Sequence, residues 1–323
     1  ATVSYGTTDG STNAAAWSDH VYEGPPLGEF GVQVAGLSAN TTYFFTIGVS
    51  NAAGGAWGGA SRSFTTATSR KISVLTYHYD NTRQGANTNE TLLTPSNVNL
   101  AGFGKLFTYP IDGYLYAQPL IMTNVGIPGK GARDVVFAAT EHDTVYAFDA
   151  NTNTDANGGL LWKVNLGIAA VSPTVEYGAR YHPGVGNLDM VPEEGMTGTP
   201  VIDPSTGTLY VDAFTREVVP GVSTNYYHRI HALNITNGTE QSYSPVVVSA
   251  SVPGKGAAGN GSVVTFSAIQ HCQRPALTLA GGILYVCYGS HDDTDPYHGW
   301  VLGYNATNLV LSTNYIFNTT PNA

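Results

Sequence analysis

Two short polar turns carry the side chains with the most chemistry to offer. Glu141-His142-Asp143 and His291-Asp292-Asp293 each place an imidazole beside carboxylates, and His298 follows the second. Carboxylate oxygens suit Ca²⁺, and imidazole nitrogens suit transition metals. Glu141, His142, Asp143, His291 and Asp292 are therefore candidate ligands of a divalent ion. Plain turn chemistry accounts for the same residues, because short polar side chains populate turns.

Further candidates sit on long polar stretches. Tyr177, Tyr181 and His182 share one, Tyr226, Tyr227 and His228 another, and Tyr297 and His298 a third. Aromatic rings with polar tips stack on flat ligand faces, and loop packing uses them equally well. Tyr181, His182, Tyr227, His228, Tyr297, His298 and Arg274, close to His271, form the candidate ligand-binding set. Asp189, Glu193 and Glu194 precede Gly195-Met196-Thr197-Gly198-Thr199. Paired carboxylates there can do acid–base work, or simply rim a solvated loop. No Gly-rich phosphate loop, Ser nucleophile elbow or zinc-ligand spacing occurs.

The elements that must position these groups are strands. Asp134 to Thr140 and Thr144 to Asp149 are rich in Val, Phe and Tyr and flank the first polar turn, which predicts a β-hairpin. Leu161-Trp162-Lys163-Val164 adds a further strand. The pattern returns twice. Gln118-Pro119-Leu120, Thr199-Pro200-Val201 and Arg274-Pro275-Ala276 open three units. A first β run follows in each: Val135 to Ala139, Thr208 to Val211, Ile283 to Tyr288. A second run ends in Asp or Asn: Asp149, Asn234, Asn305. Ala147, Ala232 and Gly303 stand at equivalent places, where a small residue lets the neighbouring sheet pack close.

The units are spaced more widely than the ~40–50 residues of a propeller repeat. Polar insertions from Gly167 to Glu194, Arg216 to Tyr227 and Ser249 to His271 account for the excess. Repeats that cannot bury their faces alone must stack on neighbours, and radial stacking is the natural solution. Three units are fewer than the ~4–8 blades that close a ring. The fold expected is all-β: a partial β-propeller of about three blades with long loop insertions, over 72–323.

Residues 1–68 read as a small β-sandwich, with 69–71 as a polar linker. Phe30 to Val34 alternates, Phe44 to Val49 reads as a strand, Asn51 to Gly55 as a turn and Ser61 to Thr66 as a closing strand. Tyr43, six positions after Leu37, suggests a tyrosine corner, its hydroxyl bonding back to upstream backbone. Through Leu37, Tyr43, Asn51, Gly54 and Phe64-Thr65-Thr66 the segment resembles the later part of a fibronectin type III domain. Val3 to Gly10 would be its third strand. Such a domain needs ~100 residues, so the chain is expected to begin inside it and to end where a next propeller unit would start. No charged-then-apolar leader follows Ala1.

Composition narrows the function classes. Of 323 residues only 11% are charged, while Gly numbers 38 and Tyr 20, a balance of turn and strand formers. No run of ~18 apolar residues is present, so no membrane span is expected. The net charge of -10 argues against nucleic acid, which calls for basic patches, and is what solubility asks for.

Val145 to Thr152 with Leu161-Trp162 resembles the blade motif of the quinoprotein-dehydrogenase (PQQ-like) propellers. Asp80 to Asn87, Asn97-Val98 and Gly104 to Phe107 are similar to the lead-in to that family's first blade. The resemblance implies pyrroloquinoline quinone and Ca²⁺ as cofactors and a dehydrogenase activity. The sequence departs from it: Asn153 replaces the motif Gly, an insertion separates Thr152 from Trp162, Gln241-Ser242 stand near a Trp position, and the adjacent Cys pair is absent. No cofactor is therefore expected, and two functions stay open. One is a secreted or cell-surface binding module for a polysaccharide or protein. The other is a quinone- and Ca²⁺-dependent oxidoreductase.

Cys272 and Cys287 complete the reading. With Gly281-Gly282 as a two-residue hairpin loop, Ala280 faces Ile283, Cys272 faces His291 and Cys287 faces Ala276. That offset, ~13 Å along the ladder, exceeds the ~7 Å a disulfide tolerates, so two thiols are expected.

Overall fold

Val, Ile, Tyr and Phe runs broken by Gly, Asn and Asp give regular structure that is, among the described residues, almost wholly antiparallel strand. The computed structural model describes all residues except 26, 27, 29, 33, 35, 36, 39, 67–71, 89, 91, 92, 94–96, 101, 172–189, 191, 258, 292–295 and 323. Two compact units emerge: Ala1–Lys71 with Thr88–Lys105, and Ile72–Asn87 with Leu106–Ala323. Residues 88–105 thus group with the first unit.

In the first unit β1 (Thr2–Gly6), β2 (Asp19–Tyr22), β3 (Thr42–Asn51), β4 (Gly54–Trp57) and β5 (Arg62–Thr65) share one sheet, ordered β2-β1-β3-β4, with β5 also on β3. The first half of β3 pairs β5 and the second half pairs β4. Tyr43 is buried, and its hydroxyl accepts the Ser38 backbone N–H at 3.0 Å. Phe30, Val32 and Val34 are not in a strand, despite their alternation. They line an apolar cavity of about 430 Å³ with Val3, Phe45 and Phe64. Alternation yields a strand only where a neighbouring backbone offers a ladder.

The second unit contains three larger sheets, each holding one sequence unit. Sheet I is β6 (Leu120–Ile127), β7 (Gly131–Ala139), β8 (Thr144–Asp149) and β9 (Leu160–Asn165). A small pair, β10 (Ala170–Val171) and β11 (Glu193–Glu194), follows. Sheet II is β12 (Val201–Asp203), β13 (Thr208–Val219), β14 (Ser223–Asn234) and β15 (Val246–Val247). The pair β16 (Ser251–Pro253) and β17 (Val263–Thr265) leads on. Sheet III comprises β18 (His271–Cys272), β19 (Thr278–Ala280), β20 (Ile283–Ser290), β21 (Trp300–Asn305) and β22 (Leu311–Asn318).

Two apolar cores join the three sheets in series. On β13 the odd residues Leu209, Val211 and Ala213 pack with Val135, Phe137 and Val145 of sheet I. Tyr210, on the other face, packs with Leu284, Val286 and Trp300 of sheet III. A period of two puts successive side chains on opposite faces, so sheet II is apolar on both. At each interface a buried aromatic residue also bonds across it. Trp162 Nε1 donates to the Ile235 carbonyl at 3.0 Å, and the Tyr210 hydroxyl to the Ala306 carbonyl at 2.8 Å. Gly238, at φ +73°, lies against the Trp162 ring, where a Cβ would stand 2.6 Å from Cε3. Burying large apolar side chains like these contributes about 1.5–3 kcal/mol each.

Several expectations change here. Arg216 to Tyr227 is not a loop insertion: β13 and β14 run on as one long hairpin, paired from Thr208↔Asn234 to Val219↔Ser223. The hairpin's far end is exposed, Val218, Val219 and Val222 included. Ala147 and Ala232 lie in the inter-sheet cores, but the space beside Gly303 is taken by Tyr315 and Ile283 of its own sheet. Ala280 does face Ile283, yet Cys272 faces Gly289, not His291. The stretch 273–277 bulges because Pro275 has no N–H for the ladder and the Leu277 N–H goes to the Thr199 carbonyl instead. Cys272 and Cys287 form no disulfide.

Candidate functional site

The turn between β7 and β8 is held from below. Thr140 and Thr144 hydroxyls donate to the two oxygens of Asp112 at 3.0 and 2.9 Å, and the Glu141 N–H goes to the Tyr114 carbonyl at 2.9 Å. The turn points Glu141 and Asp143 inward, both fully buried, while His142 projects outward to Glu193 Oε1 at 2.9 Å. Glu141 Oε2 accepts the Gly195 N–H at 2.8 Å and the Thr197 hydroxyl at 3.1 Å. The approach is so close that a Cβ on Gly195 would collide with the Glu141 carbonyl and stand 2.6 Å from Asp143 Oδ1. Both carboxylate oxygens of Asp143, and Glu141 Oε1, lack hydrogen-bond partners among the described residues.

Glu194 belongs to the same centre. Its side chain is buried, and Oε2 lies 3.3 Å from Nδ1 of the equally buried His291. Cys272 joins them: the three ligand atoms lie within 4.8 Å of one another. The three residues come from separate elements, namely β11, β18 and the residue after β20.

A second buried network adjoins on the sheet III side of sheet II. Asp212 interrupts the apolar run of β13. Its Oδ1 lies 2.6 Å from His228 Nδ1, and its Oδ2 accepts the Tyr288 hydroxyl at 2.7 Å. His228 Nε2 reaches the His271 carbonyl at 2.8 Å, so that nitrogen carries a proton. His271 Nδ1 donates to the Ser267 carbonyl at 2.7 Å, and its Nε2 accepts the His298 N–H at 3.2 Å. His298 itself is buried, its ring between Thr320 Oγ1 and the Ala257 carbonyl.

Electrostatics follow from burial. Loss of water pushes the Glu141 carboxyl up to about 7, outweighing its bond from Gly195, with Glu194 and Glu193 adding repulsion. Burial, then Glu141 and Asp212, raises Asp143 well above the carboxylate range. Glu194 is held below its ordinary value although burial opposes this, because His291 and the Cys272 thiol stabilise its charge. Burial drives His271 down to about 4.

Access comes from a cleft of about 310 Å³ bordered by Tyr116, Met190, Cys272, Arg274, Tyr288 and Ser290. Cys272 and Tyr288 therefore connect it with the two buried groups.

Of the residues singled out in the sequence, Glu141 and Asp143 meet at Gly195, Glu194 meets His291, Glu193 pairs with His142, and His228 and His298 belong to the neighbouring network. His142 is a correction: alternate positions of the turn face opposite ways, and it points outward. Arg274 borders the cleft. Tyr227 lies under the Arg229 guanidinium, 4.5 Å from the ring centre, and Tyr297 is exposed. Tyr181, His182 and Asp292 lie outside the described residues. Cys272, Asp212 and Tyr288 carried no ligand expectation. The usable signal was Asp212, a lone carboxylate inside Leu209-Tyr210-Val211-Asp212-Ala213-Phe214, since a charge in a buried strand needs partners.

The chain matches no protein-family model and no curated protein.

Proposed function

We propose that this chain is a secreted or cell-surface binding module, its three stacked sheets being consecutive blades of a propeller and its first unit a fibronectin type III-like spacer. The stacking of sheets I, II and III through two apolar cores supports the propeller reading. The cleft carries the functional one. Its volume of about 310 Å³ falls in the range of small-ligand sites. It presents the exposed Tyr116 ring, the Met190 and Pro275 apolar surfaces and the Arg274 guanidinium. An aromatic ring suits the apolar face of a sugar, and a guanidinium suits a carboxylate. The ligand is accordingly an acidic polysaccharide.

Calorimetric titration of the chain with uronic-acid oligosaccharides tests this. Binding should weaken at least ~10-fold in Arg274→Ala and in Tyr116→Ala. Binding to neutral glycans alone, or to a protein with no glycan affinity, would sink it.

The quinone- and Ca²⁺-dependent oxidoreductase is the second reading, favoured by the buried carboxylates Glu141, Asp143, Glu194 and Asp212. Oxygen donors of this kind suit Ca²⁺. The cleft fits the quinone poorly. Pyrroloquinoline quinone carries three carboxylates, and among the described residues bordering the cleft Arg274 is the one cation, while the buried Glu194 carboxylate lies close to Cys272. Stoichiometric quinone binding with dye-linked alcohol oxidation would promote this reading over the first.

A further inference from the structure

We propose that Glu194, Cys272 and His291 bind a divalent transition metal ion of borderline softness, with Zn²⁺ as the best match. The donor set of one carboxylate, one thiol and one imidazole is the mixture Zn²⁺ takes, and the thiol disfavours Ca²⁺ and Mg²⁺. The spacing agrees. Two nitrogen or oxygen ligands at ~2.0–2.1 Å from a tetrahedral ion stand about 3.3–3.4 Å apart, and Glu194 Oε2 lies 3.3 Å from His291 Nδ1. The Cys272 donor lies within 4.8 Å of both.

A separate observation also points to a cation. Among the described residues both oxygens of Asp143 are buried without partners, beside Gly195, the residue next to Glu194. Among the described residues Glu141 Oε1 is likewise buried and unpartnered. Orphaned buried acceptors are costly, and a positive ion nearby offsets the repulsion among four buried carboxyls. Cys272 also borders the cleft, which gives the ion a route from solvent. On binding, the Cys272 thiol gives its proton to solvent and its thiolate forms the metal bond. Three protein ligands leave a fourth position open, as in sites where a water or substrate completes the shell. None of this depends on what the cleft binds.

The test is Co²⁺ titration of the chelator-treated chain. One Co²⁺ per chain should bind, with an intense thiolate-to-metal absorption band that Zn²⁺ abolishes. Cys272→Ser should remove the band and weaken binding by more than ~100-fold, and His291→Gln by at least ~10-fold. Cys287→Ser should leave both unchanged. No stoichiometric Co²⁺ binding, or a band that survives Cys272→Ser, overturns the site. Should the Cys272 variant fail to fold, X-ray absorption of the Zn²⁺-treated wild type decides: one sulfur with nitrogen or oxygen ligands is expected, and a shell without sulfur refutes it.

Discussion

His228 Nδ1 lies 2.6 Å from Asp212 Oδ1 on the neighbouring strand, with both side chains sealed from solvent. The register places them diagonally, Phe214 facing His228 and Asp212 facing Ile230. They therefore share one face, and Tyr288 of sheet III closes the network from the other side of the interface. Asp212→Ala leaves the His228 ring and the Tyr288 hydroxyl without their acceptor. It should cost about 3–5 kcal/mol of unfolding free energy by urea titration, and Asp212→Asn, which keeps a carbonyl acceptor, roughly half of that. Equal, small losses in both variants would mean the pair adds no net stability.

His271 couples the fold to acid pH. Its folded value of about 4 lies below its ordinary 6.5, because protonation would cost both desolvation and the bond that Nε2 accepts from His298. As pH falls below 6.5 the unfolded chain takes up this proton first, so stability is lost down to pH 4. The loss amounts to about 3 kcal/mol from this group. In an NMR titration the His271 ring should hold its neutral shifts through pH 6 and titrate near 4, or at the onset of unfolding.

Glu141 acts in the opposite sense. Its folded value of about 7 exceeds its ordinary 4.5, so the unfolded chain gives up its proton first as pH rises. Stability then falls between pH 4.5 and 7, by about 3 kcal/mol. From about pH 4.5 to 6.5 the His271 and Glu141 slopes cancel, and only variants separate them. In metal-free protein Glu141→Gln keeps an oxygen for Gly195 and Thr197. It should raise the unfolding free energy at pH 8 and leave it little changed at pH 4.5. An unchanged difference between the two pH values would contradict the assigned burial.

Gly195 is required by proximity alone, since its φ is not in the left-handed region. A Cβ there meets the Glu141 carbonyl, which is backbone and cannot swing away. Gly195→Ala should destabilise by about 1–3 kcal/mol, detected as a lower thermal midpoint. Gly281→Ala, in an open hairpin loop at φ +57°, should disturb the centre not at all and cost only its local backbone strain.

The sequence determined the central strands of the three units and the tight turn at Gly281-Gly282. The β runs at Val135, Ile283 and Val301 lie in β7, β20 and β21, because period-two patterning and Gly281-Gly282 turn chemistry are local. The bond from Tyr43 back to the chain just upstream was legible for the same reason, its partner being five residues away. Where partners are distant, patterning was silent. It read Arg216 to Tyr227 as a loop because side chains on an exposed hairpin follow no buried face, and only the opposing backbone distinguishes the two. It ran the Cys272 ladder two positions too far, since it could not see the Leu277 amide turn to Thr199. The buried centre was the least legible part. Glu141 and His291 were visible as turn residues, but nothing local says that Gly195 meets Glu141 or that β11 and β18 bring Glu194 and Cys272 to His291. That meeting depends on how successive sheets stack, which is set by the packing of apolar faces far apart in the chain.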